Sequence, residues 1–191
     1  MKKTEKGNYG YLGYKKKLNL IMTIAAFAVV LTVLVLGIII FKSKTNYMTV
    51  LSVVLVLPAA KIAVSYFVLI PHKICPKELH EAVENNKGSL LSVYDVVVSN
   101  SKSPIGVCAM VISDSNIAAL TLDNKADKKM FETSLKEFMK NDKLYVNVTL
   151  YDDESTFLKR VKNMSENFNS EDTDKVNRAG YNRDSCLNMC L

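Results

Sequence analysis

With 191 residues the chain is long enough for one ordinary domain, and it carries a formal charge of +6. Its four cysteines, Cys75, Cys108, Cys186 and Cys190, have neither zinc-finger spacing nor the density of a disulfide scaffold, which excludes a small cystine-stapled module and fits a reducing compartment. The hydrophobic fraction of 49% is ordinary in amount but not in distribution, because the apolar residues crowd towards the front.

Residues 1–17 form a basic segment in which Lys2, Lys3, Lys6, Lys15, Lys16 and Lys17 face a single acid, Glu5. Basic residues next to an apolar helix favour the cytoplasmic side, so the N-terminus is expected there. Lys15, Lys16 and Lys17 are the expected lipid contacts, each worth about 1 kcal/mol near an anionic surface. Tyr9, Tyr11 and Tyr14 are expected as interfacial anchors. Because the basic excess is juxtamembrane, it points to lipid rather than to nucleic acid.

Residues 18–41 contain no charge. As a helix these 24 positions extend roughly 36 Å, enough for a hydrocarbon core of about 30 Å. A second apolar run covers 48–70, and the external loop between them, 42–47, is short enough that the two helices must return antiparallel as a hairpin. A signal peptide does not fit, since its apolar stretch is only about 7–15 residues long and no small-x-small cleavage site follows Phe41. Two crossings return the rest of the chain to the cytoplasmic side. Lysine outnumbers arginine 22 to 3, which hints at a low-GC bacterial genome and so at the bacterial cell membrane.

The second run holds one charge, Lys61, flanked by Pro58 and by Ala59-x3-Ala63. A central lysine costs about 2.5–3.5 kcal/mol on insertion scales, which the apolar neighbours outweigh but do not explain. On one reading Pro58 breaks the helix and frees backbone carbonyls, so that Lys61 hydrogen-bonds there or stays neutral. On the other, Lys61 is an intramembrane functional residue paired with an acid in trans, on a membrane-protein partner or a second copy, and the small residues let that helix approach. Neither apolar run contains an acid of its own.

From residue 72 the composition becomes that of a globular domain. Helical spacing is expected at 76–86 (Leu79, Val83), strands at 90–99, 106–113 and 117–122, a helix at 126–140 (Phe131, Leu135), a strand at 144–150 and a helix at 153–164 (Phe157, Val161). Asp114-Ser115-Asn116 is expected to close a hairpin between the second and third strands. The cytosolic α/β domain is thus set at 72–165. Residues 166–191, rich in Asn, Asp, Ser and Arg, are expected to form a disordered tail.

The order αβββαβα is that of restriction-endonuclease-like folds. Through Asp95-Val-Val-Val-Ser, Gly106-Val-Cys-Ala-Met-Val-Ile-Ser and Ile117-Ala-Ala-Leu-Thr-Leu-Asp-Asn-Lys125, residues 76–150 resemble the nuclease-related domain family of that fold. The resemblance implies a metal-binding aspartate on the second strand and an acidic-x-Lys pair ending the third. Two such carboxylates hold Mg²⁺, which activates water, while the lysine orients it. Asp123 and Lys125 match the second part, but Cys108, a ligand poorly suited to Mg²⁺, stands at the aspartate position, leaving Asp114 or Asp95 as substitutes. The apparent centre is degraded. The expected function is therefore a multi-pass membrane protein whose non-catalytic cytosolic domain binds protein or a membrane surface, with no cofactor. The alternative is a membrane-tethered, Mg²⁺-dependent nuclease or phosphodiesterase.

Overall fold

The computed structural model describes residues 4–42, 46–99, 103–123 and 126–191. It comprises two compact units: Tyr14–Pro71, and Met1–Gly13 together with His72–Leu191.

The first unit is a pair of long apolar helices, α1 (Tyr11–Phe41) and α2 (Tyr47–Leu69). Helix α1 starts seven residues before the charge-free run because Lys15–Lys17, good helix formers, continue the same helix. At 31 residues it is about 46 Å long. Asn46 closes the hairpin: its side chain caps α2 by accepting from the Thr49 N–H at 2.9 Å and donates to the Gly37 carbonyl at 3.1 Å. Hydroxyls within the helices bond back to their own turns, Thr23 to the Asn19 carbonyl and Thr32 to the Ala28 carbonyl, so these polar groups need no water. At Gly37 a side chain would strike Met48 and crowd Asn46. Gly37→Leu is therefore expected to force this closure apart, read as a longer distance between spin labels at Val35→Cys and Leu51→Cys in detergent. An unchanged distance would show that the turn absorbs the added bulk.

Helix α2 runs through Pro58 without a break, and its buried residues are Ser52, Ala59, Ala63 and Leu69. The small pair Ala59 and Ala63, expected to receive an outside helix, is thus turned to the inside of the hairpin.

The second unit is a three-layer α/β/α domain around a four-stranded sheet of order β1-β2-β3-β4. Strands β1 (Leu91–Val98), β2 (Ile105–Ile112) and β3 (Asn116–Leu120) form an antiparallel meander, and β4 (Asn147–Tyr151) lies parallel to β3. A parallel neighbour requires a crossover, supplied by α4 (Lys128–Asn141). Helices α3 (Lys77–Asn86) and α5 (Glu154–Glu166) bury Leu79, Val83, Phe157 and Val161 against one face of the sheet. The other face carries Phe131, Leu135 and Met139 of α4. Asp127 and Asp153 cap α4 and α5 through their first-turn N–H groups.

Two expectations are corrected. Residues 173–189 are not a disordered tail but helix α6 (Thr173–Met189), capped by Asp172. Its composition is polar because three of its sides meet water; Ala179, Asn182 and Cys186, followed by Cys190 at the cap, bury a narrow seam at intervals of three and four residues. The other concerns the expected interfacial tyrosines: residues 4–13 of the basic segment belong to the α/β unit. Tyr11 is buried, and the Tyr9 ring stacks on His80 at 4.3 Å, so neither is left as a free interfacial anchor.

These two chain ends cover the open edge of β1. The Tyr94 N–H donates to the Gly7 carbonyl at 2.7 Å, and Val97 accepts from the Leu191 N–H at 2.8 Å. Cys190 forms an isolated bridge with Val98. An exposed edge of a valine-rich strand would otherwise template pairing with another chain.

Candidate functional site

The nuclease-like alternative offered Asp123 and Lys125, with Asp114 or Asp95 as the second carboxylate. Lys125 lies outside the described residues. The other three are distributed over the domain rather than gathered.

Asp95 sits in β1 at 0% exposure, with a left-handed backbone (φ 52°) that aspartate tolerates better than most residues. There the alternation of side chains slips: Val93 and Val96 belong to one core layer, Tyr94 to the other. The two carboxylate oxygens are divided between two backbone donors. Oδ2 accepts from the Gly10 N–H at 2.6 Å and Oδ1 from the Cys75 N–H at 2.7 Å. Gly10 immediately precedes α1, and Cys75 follows α2 by six residues. One buried anion therefore ties β1 to two other segments of the same unit, one before α1 and one after α2. Its role is that of a structural latch.

Asp114 lies in the turn before β3 and Asp123 three residues past its end. The strand between them alone spans about 13 Å at roughly 3.3 Å per residue. A single Mg²⁺ binds its oxygens at about 2.1 Å, so these two carboxylates cannot share one ion. The Asp123 N–H donates to Thr121 Oγ1 at 3.1 Å, and the Thr121 hydroxyl donates to the Gly106 carbonyl at 2.7 Å, which ties the end of β3 back to β2.

Cys108 is buried beside Cys75. Its hydrogen bond with the Cys75 thiol, and then burial, push its pKa well above that of an ordinary thiol. Burial among apolar side chains favours the neutral thiol, a soft group ill-suited to a hard cation. Among the described residues no group of three or more His, Cys, Asp or Glu is arranged to hold a metal ion.

Next to the latch, a polar network joins α3 to β1. Glu84 accepts from the Tyr94 hydroxyl at 2.7 Å and from Ser92 at 3.1 Å, and pairs with Lys87 at 2.9 Å. Burial alone would raise the Glu84 pKa, but the bonds from Lys87 and Tyr94 outweigh it and hold the carboxyl below its usual range. Burial first, and then Glu84, keep the Tyr94 phenol protonated well beyond its usual range.

Two polar concavities lie around the β2–β3 turn. One, of about 220 Å³, is lined by Asp114, Asn116, Arg160, Asn163 and Lys175 among others; a second, of about 390 Å³, shares Asp114 and adds Lys143, Tyr145 and Arg178. Asn182 of α6, 1% exposed, donates to both the Ser113 and the Asp114 carbonyls at 2.9 Å and fixes the turn between them. Sequence reading missed Asn182 because it placed the residue in a tail. The latch role of Asp95 had a visible signal, a lone acid inside a valine run, but its partners were not legible.

In the helical unit, Lys61 is exposed, and among the described residues its ammonium has no hydrogen-bond or ion-pair partner. The carbonyls freed by Pro58 do not receive it. Of the expected lipid contacts, Lys16 donates to the Ile70 carbonyl at 3.1 Å and so satisfies the end of α2, Lys15 is half-buried, and Lys17 is exposed.

No family model, curated protein or solved structure matches the chain.

Proposed function

We propose that the chain is a multi-pass membrane protein, with its N-terminus and α/β domain on the cytoplasmic side, that acts through this domain as a binding module for protein or for a membrane surface. The observation that carries this reading is the commitment of Asp95. The acid best placed within the sheet spends both oxygens on backbone N–H groups, while Asp114 and Asp123 stand at opposite ends of β3. The membrane part is supported by two helices long and apolar enough to cross a bilayer. An even number of crossings is supported by the N-terminal segment, since residues before α1 and after α2 belong to one folded unit.

The order αβββαβα, with its parallel β3–β4 pair, is compatible with a restriction-endonuclease-like ancestry, and Asp123 keeps the place of the acidic-x-Lys pair. On this reading the scaffold has outlived its chemistry. The test uses the full chain in detergent, because a fragment of residues 72–165 would lack both α6 and the Gly7–Gly10 segment. Incubated with single- and double-stranded nucleic acid and Mg²⁺ or Mn²⁺, the protein is expected to cleave neither. Metal-dependent cleavage that disappears in Asp123→Ala would overturn the binding-module reading in favour of the membrane-tethered nuclease. Orientation is read separately: a cysteine replacing the exposed Lys73 is expected to resist membrane-impermeant reagents in sealed, right-side-out vesicles.

A further inference from the structure

Helix α2 has two unlike faces. Ala59 and Ala63 point into the hairpin, and Lys61, two residues from each, is on the opposite side. Around it on the same outward face stand Leu57 and Val54 one and two turns before, and Val64 one turn after, exposed at 72%, 55% and 59%. These are the side chains that would meet hydrocarbon if α2 spans a membrane, and the ammonium lies among them. The end of α2 is eight residues beyond Lys61, about 12 Å along the axis, against a snorkelling reach of about 6 Å. Neither escape to the surface nor a partner within the hairpin is open to it.

We propose that this face of α2 docks a membrane-spanning helix of a different protein, one that carries an aspartate or glutamate level with Lys61. The inference rests on the membrane-spanning reading above. Charge selects the occupant. A second copy of this chain would bring no carboxylate, because α1 and α2 contain none, and self-association on this face would set lysine against lysine. An acid on the incoming helix removes the isolated charge and fixes the axial register of the pair, as a single polar residue does in a helical seam. Because Ala59 and Ala63 are used within the hairpin, the contact is made by branched side chains around one ion pair, not by a small-residue crossing.

The test places a photo-crosslinking amino acid at Leu57 or at Val64 of the full chain in native membranes, with sequencing of whatever is joined. The result expected is one heterologous adduct, to a protein with an acid in a membrane span. The yield should fall roughly tenfold in Lys61→Met, at the upper limit for polar contacts between membrane helices, and recover in Lys61→Arg. Replacing that acid in the partner by its amide should reproduce the loss. An adduct between two copies of this chain, a partner without a membrane acid, an adduct indifferent to Lys61→Met, or no adduct would each overturn the proposal. Extraction of the chain from the same membranes by alkaline carbonate would instead remove the membrane reading on which it stands, so the two failures are separable.

Discussion

Ending the chain after residue 169 is expected to abolish cooperative folding of the α/β unit. Helix α6 buries Ala179, Asn182, Ser185 and Cys186 and leads to Cys190, whose thiol burial pushes up to about 12. Without it, the layer containing Val98, Ile105 and Met139 is opened to water on one side. Each buried medium-sized apolar side chain contributes about 1.5–3 kcal/mol, so exposing three or four of them approaches the whole 5–15 kcal/mol that stabilises a typical domain. The same truncation removes both Asn182 bonds to the β2–β3 turn and uncovers the edge of β1 at Val97 and Val98. The measurement is the dispersion of amide resonances of the truncated chain in detergent, with Asn182→Ala as a milder companion. That substitution leaves two carbonyls short of a donor and is expected to cost about 1–3 kcal/mol. A truncated chain that still unfolds in one sharp transition would show that the other three helices suffice.

Removing the Asp95 carboxylate is the second large effect expected. Asp95→Ala strands two N–H groups, Gly10 and Cys75, next to a dry core, at about 1–3 kcal/mol each. It also puts alanine at φ 52°, where a Cβ is less welcome than in aspartate's locally hydrogen-bonded form. Against this, the variant no longer buries a charge, so the net loss is set at about 2–4 kcal/mol. Asp95→Asn keeps one acceptor oxygen and should lose about half as much. Denaturant unfolding in detergent reads the stability. Trypsin reads the local consequence: cleavage after Lys6, whose ammonium is held by the Cys190 carbonyl at 2.6 Å, should accelerate in Asp95→Ala well beyond what global unfolding accounts for. Wild-type protection of Lys6 in that variant would mean that the N-terminal segment is held by something other than the latch.

The two predictions concern the parts of the molecule that sequence reading handled least well, and for one reason. Where a segment's structure follows from its own periodicity, reading residue by residue succeeds. The charge-free run before Phe41 and the valine-rich strands are of this kind, as is the Phe131–Leu135 face of α4; apart from the start of α1, which lies seven residues earlier, the observed limits fall within a few residues of those expected. Helix α6 failed the same reading because its apolar seam is one residue wide and partly built of asparagine, serine and cysteine, which composition counts as polar. Such residues are recognised as core only once the groups they satisfy are known, here the Ser113 and Asp114 carbonyls nearly seventy positions earlier. The four candidate catalytic residues were compatible with a centre as long as only strand order was considered. Once the positions of the turn and the strand end are fixed, Asp114 and Asp123 are too far apart to share an ion.

By itself the sequence determined that two apolar helices stand side by side and that an alternating set of strands and helices follows them, because these depend on hydrophobic period and on connection length, which are local. It also determined that Lys61 lacks an acid within its own hairpin, since that is a matter of composition. Which way Lys61 faces, which carboxylate is locked to the backbone, and that the first and last residues of the domain close the same strand edge were decided only in the tertiary structure. Those outcomes depend on donors and acceptors brought together over separations of up to 184 residues, and no local pattern encodes them.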